Sequence, residues 1–323
     1  MEKVIHVTER STFKQCRRLW DYQYKQGLQH PTDRIDARWI GKGVHFALAE
    51  YYRGNDWKTY LDGWFEIKIE EHVQQTPLTA DTSAKIEEIK TLVNAMLKGY
   101  ELYAEEKDDF EVIGTEIALS VPIPGTDGGF LAGTIDMIVR RHGKLWVFDH
   151  KTFASFADPV SLELDDQMTA YLWLVWRTYG EMPAGAVYNQ LRKKIPAEPM
   201  LLKDGTRLSK DKSIDTTTAK YLEAINRNGF NPDDYEDILD KISLNEFFRR
   251  EVIPRNPHEL ETFEEFLTFE CLDMINPMIP LYPNATRDCT YCDYQTLCKS
   301  QNEKGDTESL KNNLYVVDFE RRL

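Results

Sequence analysis

The chain has 323 residues, 41% of them apolar and 12% aromatic, enough to bury a sizeable core and too rich in rings for a disordered chain. Its 40 Lys and Arg against 54 Asp and Glu leave a net charge of −14, which argues against bulk coating of nucleic acid but allows a local basic groove beside metal-binding carboxylates. The first residues lack an apolar signal core and no apolar run is long enough to cross a bilayer, so the expectation is a soluble protein of a reducing, cytoplasmic compartment with no membrane partner.

Apolar residues at helical spacing predict helices over 11–26, 37–52, 57–73 and 83–106, so the first hundred residues form a helical wing. At Phe110 the pattern changes. Residues 110–122 read as a strand, the Gly-rich PGTDGG as a turn, and 130–141 and 145–151 as two strands joined by a tight turn over 142–144. A helix over 161–179 and a strand over 184–191 follow. Residues 193–256 are polar and less periodic, and read as an insertion with short helices over 216–226 and 235–242 and a strand near 247–253. A helix over 257–275 leads through a Pro-rich connection into a cysteine cluster, and 300–323 form a polar tail. The order predicts an α/β fold with a mixed sheet flanked by helices.

Asp149 and Lys151 are two apart on one strand and project from the same face. If that strand pairs with its predecessor as a hairpin, Asp136 sits close to Asp149. Two converging carboxylates repel unless a cation joins them, and oxygen ligands suit Mg²⁺ or Mn²⁺. Lys151 would then position a water or offset charge at phosphorus. An Asp-x-Lys is ordinarily an exposed ion pair of little energetic weight; here the flanking Trp146-Val147-Phe148 makes the strand mostly buried. Gly41-Lys42-Gly43-Val44-His45 opens the second helix, and Gln167 and Tyr171, four apart, share a face of the helix after the Asp-x-Lys strand.

The cysteines are Cys16, Cys271, Cys289, Cys292 and Cys298. The last three form a compact C-x2-C-x5-C group that suits zinc or iron–sulfur and needs a fourth ligand. Cys271 lies in the apolar run FLTFECLDMI, where a buried thiol is the ordinary expectation.

The series Gly-x-x-x-His (41–45), Glu116, Gly-x-x-Asp (133–136), Asp-x-Lys (149–151) and Gln-x-x-x-Tyr (167–171) resembles the RecB-like branch of the PD-(D/E)XK nuclease superfamily. No single piece is specific; the order and spacing together are. The resemblance implies a nuclease core over 37–192 within one domain spanning 1–299. It implies that His45, Asp136, Asp149 and the backbone carbonyl of His150 ligate the metal, that Lys151 is the catalytic lysine, and that Gln167 and Tyr171 support the site and contact DNA. Glu116 enters as a supporting or structural residue, and the side chain of His150, facing the other way, leaves the chemistry unaltered.

Members of this branch with an iron–sulfur cluster, AddB-type helicase-nucleases and CRISPR-associated exonucleases among them, pair one early cysteine with a late C-x2-C-x5-C trio. Cys16 with Cys289, Cys292 and Cys298 matches that arrangement, which implies a structural 4Fe–4S clamp, with zinc as the alternative. The activity implied is a single-strand-preferring DNA exonuclease of recombination, repair or end processing, in a phage or prokaryotic setting. A catalytically silent DNA-end-binding subunit is the alternative. The chain has no Gly-x-x-x-x-Gly-Lys-Ser/Thr loop, so a helicase would be a partner, as would a recombinase. Arg17, Arg18, Arg192, Lys193 and Lys194, with Lys203, Arg207, Lys210 and Lys212 of the insertion, are candidate phosphate contacts; Tyr22, Tyr24 and Trp39 are candidates for stacking on unpaired bases.

Overall fold

The computed structural model describes residues 3–31 and 35–319. Residues 1–2 and 32–34 of the expected domain, and 320–323 of the expected tail, lie outside the described residues. Among the described residues the chain builds a six-stranded mixed sheet from β1 (Lys3–His6), β3 (Glu111–Pro122), β4 (Gly129–Arg141), β5 (Lys144–Phe153), β6 (Gly185–Arg192) and β7 (Phe248–Ile253). The order is β1-β4-β5-β6-β7, with β3 on the other edge of β4. β1 with β4 and β5 with β6 run parallel; the remaining pairs are antiparallel.

Alternation along the strands sends side chains to two helical layers. Ile135, Ile138 and Val147 meet α1 (Val7–Gln15), α7 (Asp166–Tyr179) and α10 (Pro257–Ile275) through Phe13, Leu172, Leu174 and Phe263. On the opposite face, Met137, Val139, Phe148 and Val187 pack with Tyr52 and Phe110. Beside them α3 (Ala37–Tyr52), α4 (Trp57–Gln75) and α5 (Ala80–Lys107) share a core of Trp39, Leu48, Leu61, Phe65, Val93 and Met96.

Four segments differ from the sequence reading. The first expected helix is interrupted: α1 ends at Gln15, Cys16 is extended, α2 (Arg17–Trp20) follows, and Asp21–Lys25 form a π-helical turn. Asn284 holds the break, its amide donating to the Gln15 carbonyl (2.9 Å) and its backbone N–H to Cys16 Sγ (3.4 Å). The helix expected over 161–179 divides into α6 (Pro159–Leu164) and α7, because the Asp165 side chain caps α7 through the Gln167 N–H (2.9 Å). The segment 193–256 is not wholly inserted. Its α8 (Thr218–Arg227) and α9 (Glu236–Ile242) close over a small core of their own, but β7 returns to pair with β6.

The tail is structured. α11 (Gln295–Asn302) runs into it, α12 (Thr307–Leu314) follows, and β8 (Val316–Val317) pairs with β2 (Leu28–Gln29). Tyr315 anchors it, stacked on Tyr294 with ring centroids 5.2 Å apart.

Arg10 joins α1, α7 and α10. It is 2% exposed, donates to Asp166 (2.8 Å) and Glu270, and lies over the Phe263 ring. Burial works against the Asp166 carboxylate, but Arg10 and Lys14 outweigh it and hold its pKa below the ordinary carboxylate value. A depressed folded-state pKa contributes stability above the unfolded value and loses it as pH falls through the folded one. Asp166→Asn is therefore expected to lower Tm by roughly 2–4 °C at neutral pH, with the deficit shrinking below about pH 4. Melting curves at pH 7, 5 and 3 check this; equal Tm values at pH 7 would mean that the pair contributes nothing.

Candidate active site

The β4–β5 ladder runs from Arg141↔Lys144 to Met137↔Phe148, and β5 then continues beside β6 as far as Phe153. The hairpin opens just where Asp136 and Asp149 follow. His150 N–H, facing β4 without a ladder partner there, donates to Asp136 Oδ2 at 2.6 Å. The same oxygen lies 3.4 Å from His45 Nδ1, delivered by α3.

On the far side of β4, the β3 register passes from Thr115↔Met137 to Ile117↔Ile135, which puts Glu116 opposite Asp136. Glu116 has φ of 50°, a left-handed conformation that costs a residue with a Cβ about 1–2 kcal/mol. That kink brings its carboxylate to the site: ligand atoms of His45, Glu116 and Asp136 lie within 4.8 Å of one another.

Asp149 is 2% exposed. Its Oδ1 accepts from Lys151 Nζ at 3.1 Å, while its buried Oδ2, 2.9 Å from the same ammonium, accepts no hydrogen bond. Lys151 Nζ also donates to Gln167 Oε1 (3.2 Å), and Gln167 Nε2 donates to the Tyr171 hydroxyl (3.0 Å). Gly133 makes room for this helix. A Cβ there would meet Val7 at 3.1 Å and Leu174 and Tyr171 at 3.2 Å, so a side chain at 133 would force these neighbours back by a few tenths of an ångström.

The charges are coupled. Burial opposes ionisation of Asp136, but His45 and the His150 N–H overcome it and hold the carboxyl below its ordinary range. Burial, with repulsion from Asp136, pushes Asp149 up despite Lys151. Glu116 is raised by burial and by Asp136. Burial disfavours the cationic forms of His45 and Lys151, yet Asp136 and Asp149 respectively hold both above their usual values. One carboxyl carries its charge easily and its neighbour resists, as expected of two acids sharing a small volume.

The His150 ring points to the other face, 2% exposed and stacked parallel to Tyr52 at 6.1 Å. Its Nδ1 lies 2.9 Å from the Asn189 amide nitrogen, which also donates to the Tyr100 hydroxyl (2.8 Å). With Nδ1 accepting, the ring proton sits on Nε2, and burial pushes the imidazole pKa down to about 3. Arg250 closes the network, donating to Asn189 Oδ1 (3.3 Å), Tyr100 (3.1 Å), Tyr52 (3.3 Å) and Asp108 (2.5 Å). Sequence reasoning missed this cluster; its one signal is the polar pair Asn189-Gln190 inside an otherwise apolar strand.

A second constellation lies at the termini. Cys16, Cys289, Cys292 and Cys298 line one cavity of about 200 Å³. All are free thiols; Asn284 N–H donates to Cys16 Sγ (3.4 Å) and Arg18 Nη1 lies 3.5 Å from Cys298 Sγ. No three of these sulfurs fall within 4.8 Å of one another. Cys271 is elsewhere, fully buried in the core against Gly129.

Most of the basic candidates are engaged within the protein. Arg17 pairs with Asp273 (3.2 Å), Arg18 donates to Asn302 (2.5 Å), Arg192 pairs with Asp215 (2.7 Å), and Lys194 pairs with the same Asp215. Lys193 lies at the end of the sheet that carries Lys151, its N–H donating to the Phe153 carbonyl (2.6 Å). Lys210 and Lys212 both reach Asp237. Tyr22 and Trp39 are 2% and 1% exposed, so neither presents a ring to DNA; both are core residues, and Tyr24 packs partly buried against the main core.

Comparison with known proteins bears on this site. No curated protein matches the chain. Fifteen solved chains do, among them SSO0001, 16% identical over 93% of this chain and 87% of that one, with a TM-score of 0.37, too loose a likeness to carry an argument. The PD-(D/E)XK nuclease superfamily profile matches residues 6–299, which take in every strand of the main sheet but most of β1, and both constellations, and the mixed sheet flanked by helices agrees with that fold. Among the described residues no helix is long and apolar enough to cross a membrane. The chain belongs to the PD-(D/E)XK nuclease superfamily, whose members are metal-dependent nucleases.

Proposed function

We propose that the chain is a Mg²⁺- or Mn²⁺-dependent deoxyribonuclease, a single-strand-preferring exonuclease of DNA recombination, repair or end processing, with a structural 4Fe–4S cluster. The observation that carries the catalytic reading is the meeting of His45, Glu116, Asp136, Asp149 and Lys151 where the β4–β5 hairpin opens. The exonuclease habit and strand preference rest on the RecB-like motif series alone.

The residues fit a divalent cation. Asp149 Oδ2 is buried and accepts no hydrogen bond, and His45, Glu116 and Asp136 bring an imidazole and two carboxylates within 4.8 Å of one another, donors that suit a divalent cation. His45, Asp136, Asp149 and the His150 carbonyl would hold the ion, and Glu116 is near enough to join them. Such an ion polarises a phosphoryl oxygen and acidifies a bound water. Lys151, keeping its proton beside Asp149, serves as the cation facing charge that develops at phosphorus. Gln167 and Tyr171 set the direction of that ammonium. Hydrolysis breaks the P–O3′ bond and leaves a 5′-phosphate.

The termini fit a cluster. Four free thiols surround one cavity, and two sulfurs face N–H groups of the kind that stabilise ligated thiolates. The choice of a 4Fe–4S cluster over zinc rests on the sequence resemblance, one early cysteine with a late C-x2-C-x5-C trio.

Lys151→Ala and Asp149→Ala are expected to cut end-labelled single-stranded DNA about 10²–10³-fold more slowly than wild type while keeping its circular dichroism. EDTA should abolish wild-type cutting, and Mg²⁺ or Mn²⁺ should restore it. Full activity in either variant would remove the site assignment, and an inert, fully loaded wild type would leave a DNA-end-binding subunit.

Anaerobically purified Cys16→Ala is expected to lose its iron and sulfide and to melt at a lower temperature; Cys271→Ala should retain both elements. Iron and sulfide analysis decides between these, and zinc in place of iron would overturn the cluster.

A further inference from the structure

Beside the trio of His45, Glu116 and Asp136 lies a cleft of about 440 Å³, most of whose lining no step above uses. It is lined by Lys42, Phe46 and Ala49 of α3 and Arg53 at its C-cap, with Trp64 of α4 and Glu116. These first four stand at i, i+4, i+7 and i+11, so they form one stripe along the helix. His45 of the same helix also lines the cleft, which therefore opens directly onto the trio. Phe46 and Trp64 are half-buried and stacked at 28°, ring centroids 6.3 Å apart. Ala49 keeps the floor low between them and Arg53, whose guanidinium pairs with the buried Glu50. Two rings bounded by Lys42 and by Arg53, which Glu50 holds in place, suit a nucleotide base: the rings offer a stacking platform.

We propose that this cleft receives the base of an unpaired nucleotide adjoining the phosphate to be cut, stacked on Trp64 and Phe46. A base inside a duplex has both faces covered by its neighbours, so only a single strand or a frayed end can enter. The cleft thus gives the single-strand preference a physical cause. The proposal rests on the nuclease reading, and the test separates the two.

Lys151→Ala protein binds without consuming the substrate. Its affinity is measured by fluorescence anisotropy for an oligothymidylate and for the same strand with one abasic residue at successive positions. One abasic position is expected to weaken binding about ten-fold. Adding Trp64→Ala, or independently Phe46→Ala, should weaken binding of the intact strand by a similar factor and erase the abasic penalty. Trp64→Phe should restore most of the affinity and Trp64→Leu, which refills apolar volume without a π-face, should not, a split that a packing defect would not predict. An abasic penalty that persists undiminished in both alanine variants, or no penalty at any position, overturns the cleft while wild-type cutting leaves the nuclease reading standing. A wild type that neither cuts nor binds overturns both.

Discussion

One carboxylate governs the centre of this protein. Asp136 takes the His150 N–H at the point where β4 and β5 cease to pair, and it reaches His45 with the same oxygen. A backbone donor buried without a partner costs about 1–3 kcal/mol, so the opening of a central hairpin needs such a substitute acceptor. By acting as that acceptor, Asp136 lets the sheet open without stranding the peptide group between Asp149 and Lys151. The geometry of the site and the continuity of the sheet are therefore one problem with one solution.

Around this point the molecule accumulates electrostatic conflict. Three acids crowd this point: Asp149 and Asp136 in a volume that burial makes hostile to charge, and the more exposed Glu116 at its edge. Lys151 and His45 compensate only in part, and Glu116 is held there in a left-handed backbone. Such an arrangement persists because the surroundings over-determine it. On one side α7 clamps Lys151 through Gln167 and sits close because position 133 has no side chain. On the other, His150 is fixed by Tyr52, Asn189 and, through them, Arg250. The rigidity of the site is supplied from both faces of the sheet.

The meander was legible because alternation and Gly-rich turns bound its strands, and α3 and α10 because their caps and apolar faces stand out. The motif spacing likewise led to Asp136, Asp149, Lys151, Gln167 and Tyr171, since each is carried on an element whose period sets its direction. Other features depend on relations that one dimension hides. The break at Asp165 lies within an unbroken apolar rhythm, where a capping carboxylate looks like an ordinary surface acid. β1 has four residues and only one of them is buried. The nearness of Glu116 depends on strand register and an unusual φ. The Arg250 network links residues up to 198 positions apart. The tail reads as polar because a single ring, Tyr315, carries its packing.

The pairing of β2 with β8 has a consequence for how this protein is made. β1, α1 and Cys16 are synthesised ahead of their partners in β4, α7, α10 and the late cysteines, which come more than a hundred residues afterwards. The earlier segment must wait for them, and β8, which pairs with β2, follows later still. Long-range closure of this kind is slow and leaves apolar surface uncovered meanwhile. A chain stalled before β8 therefore lacks the strand that pairs with β2.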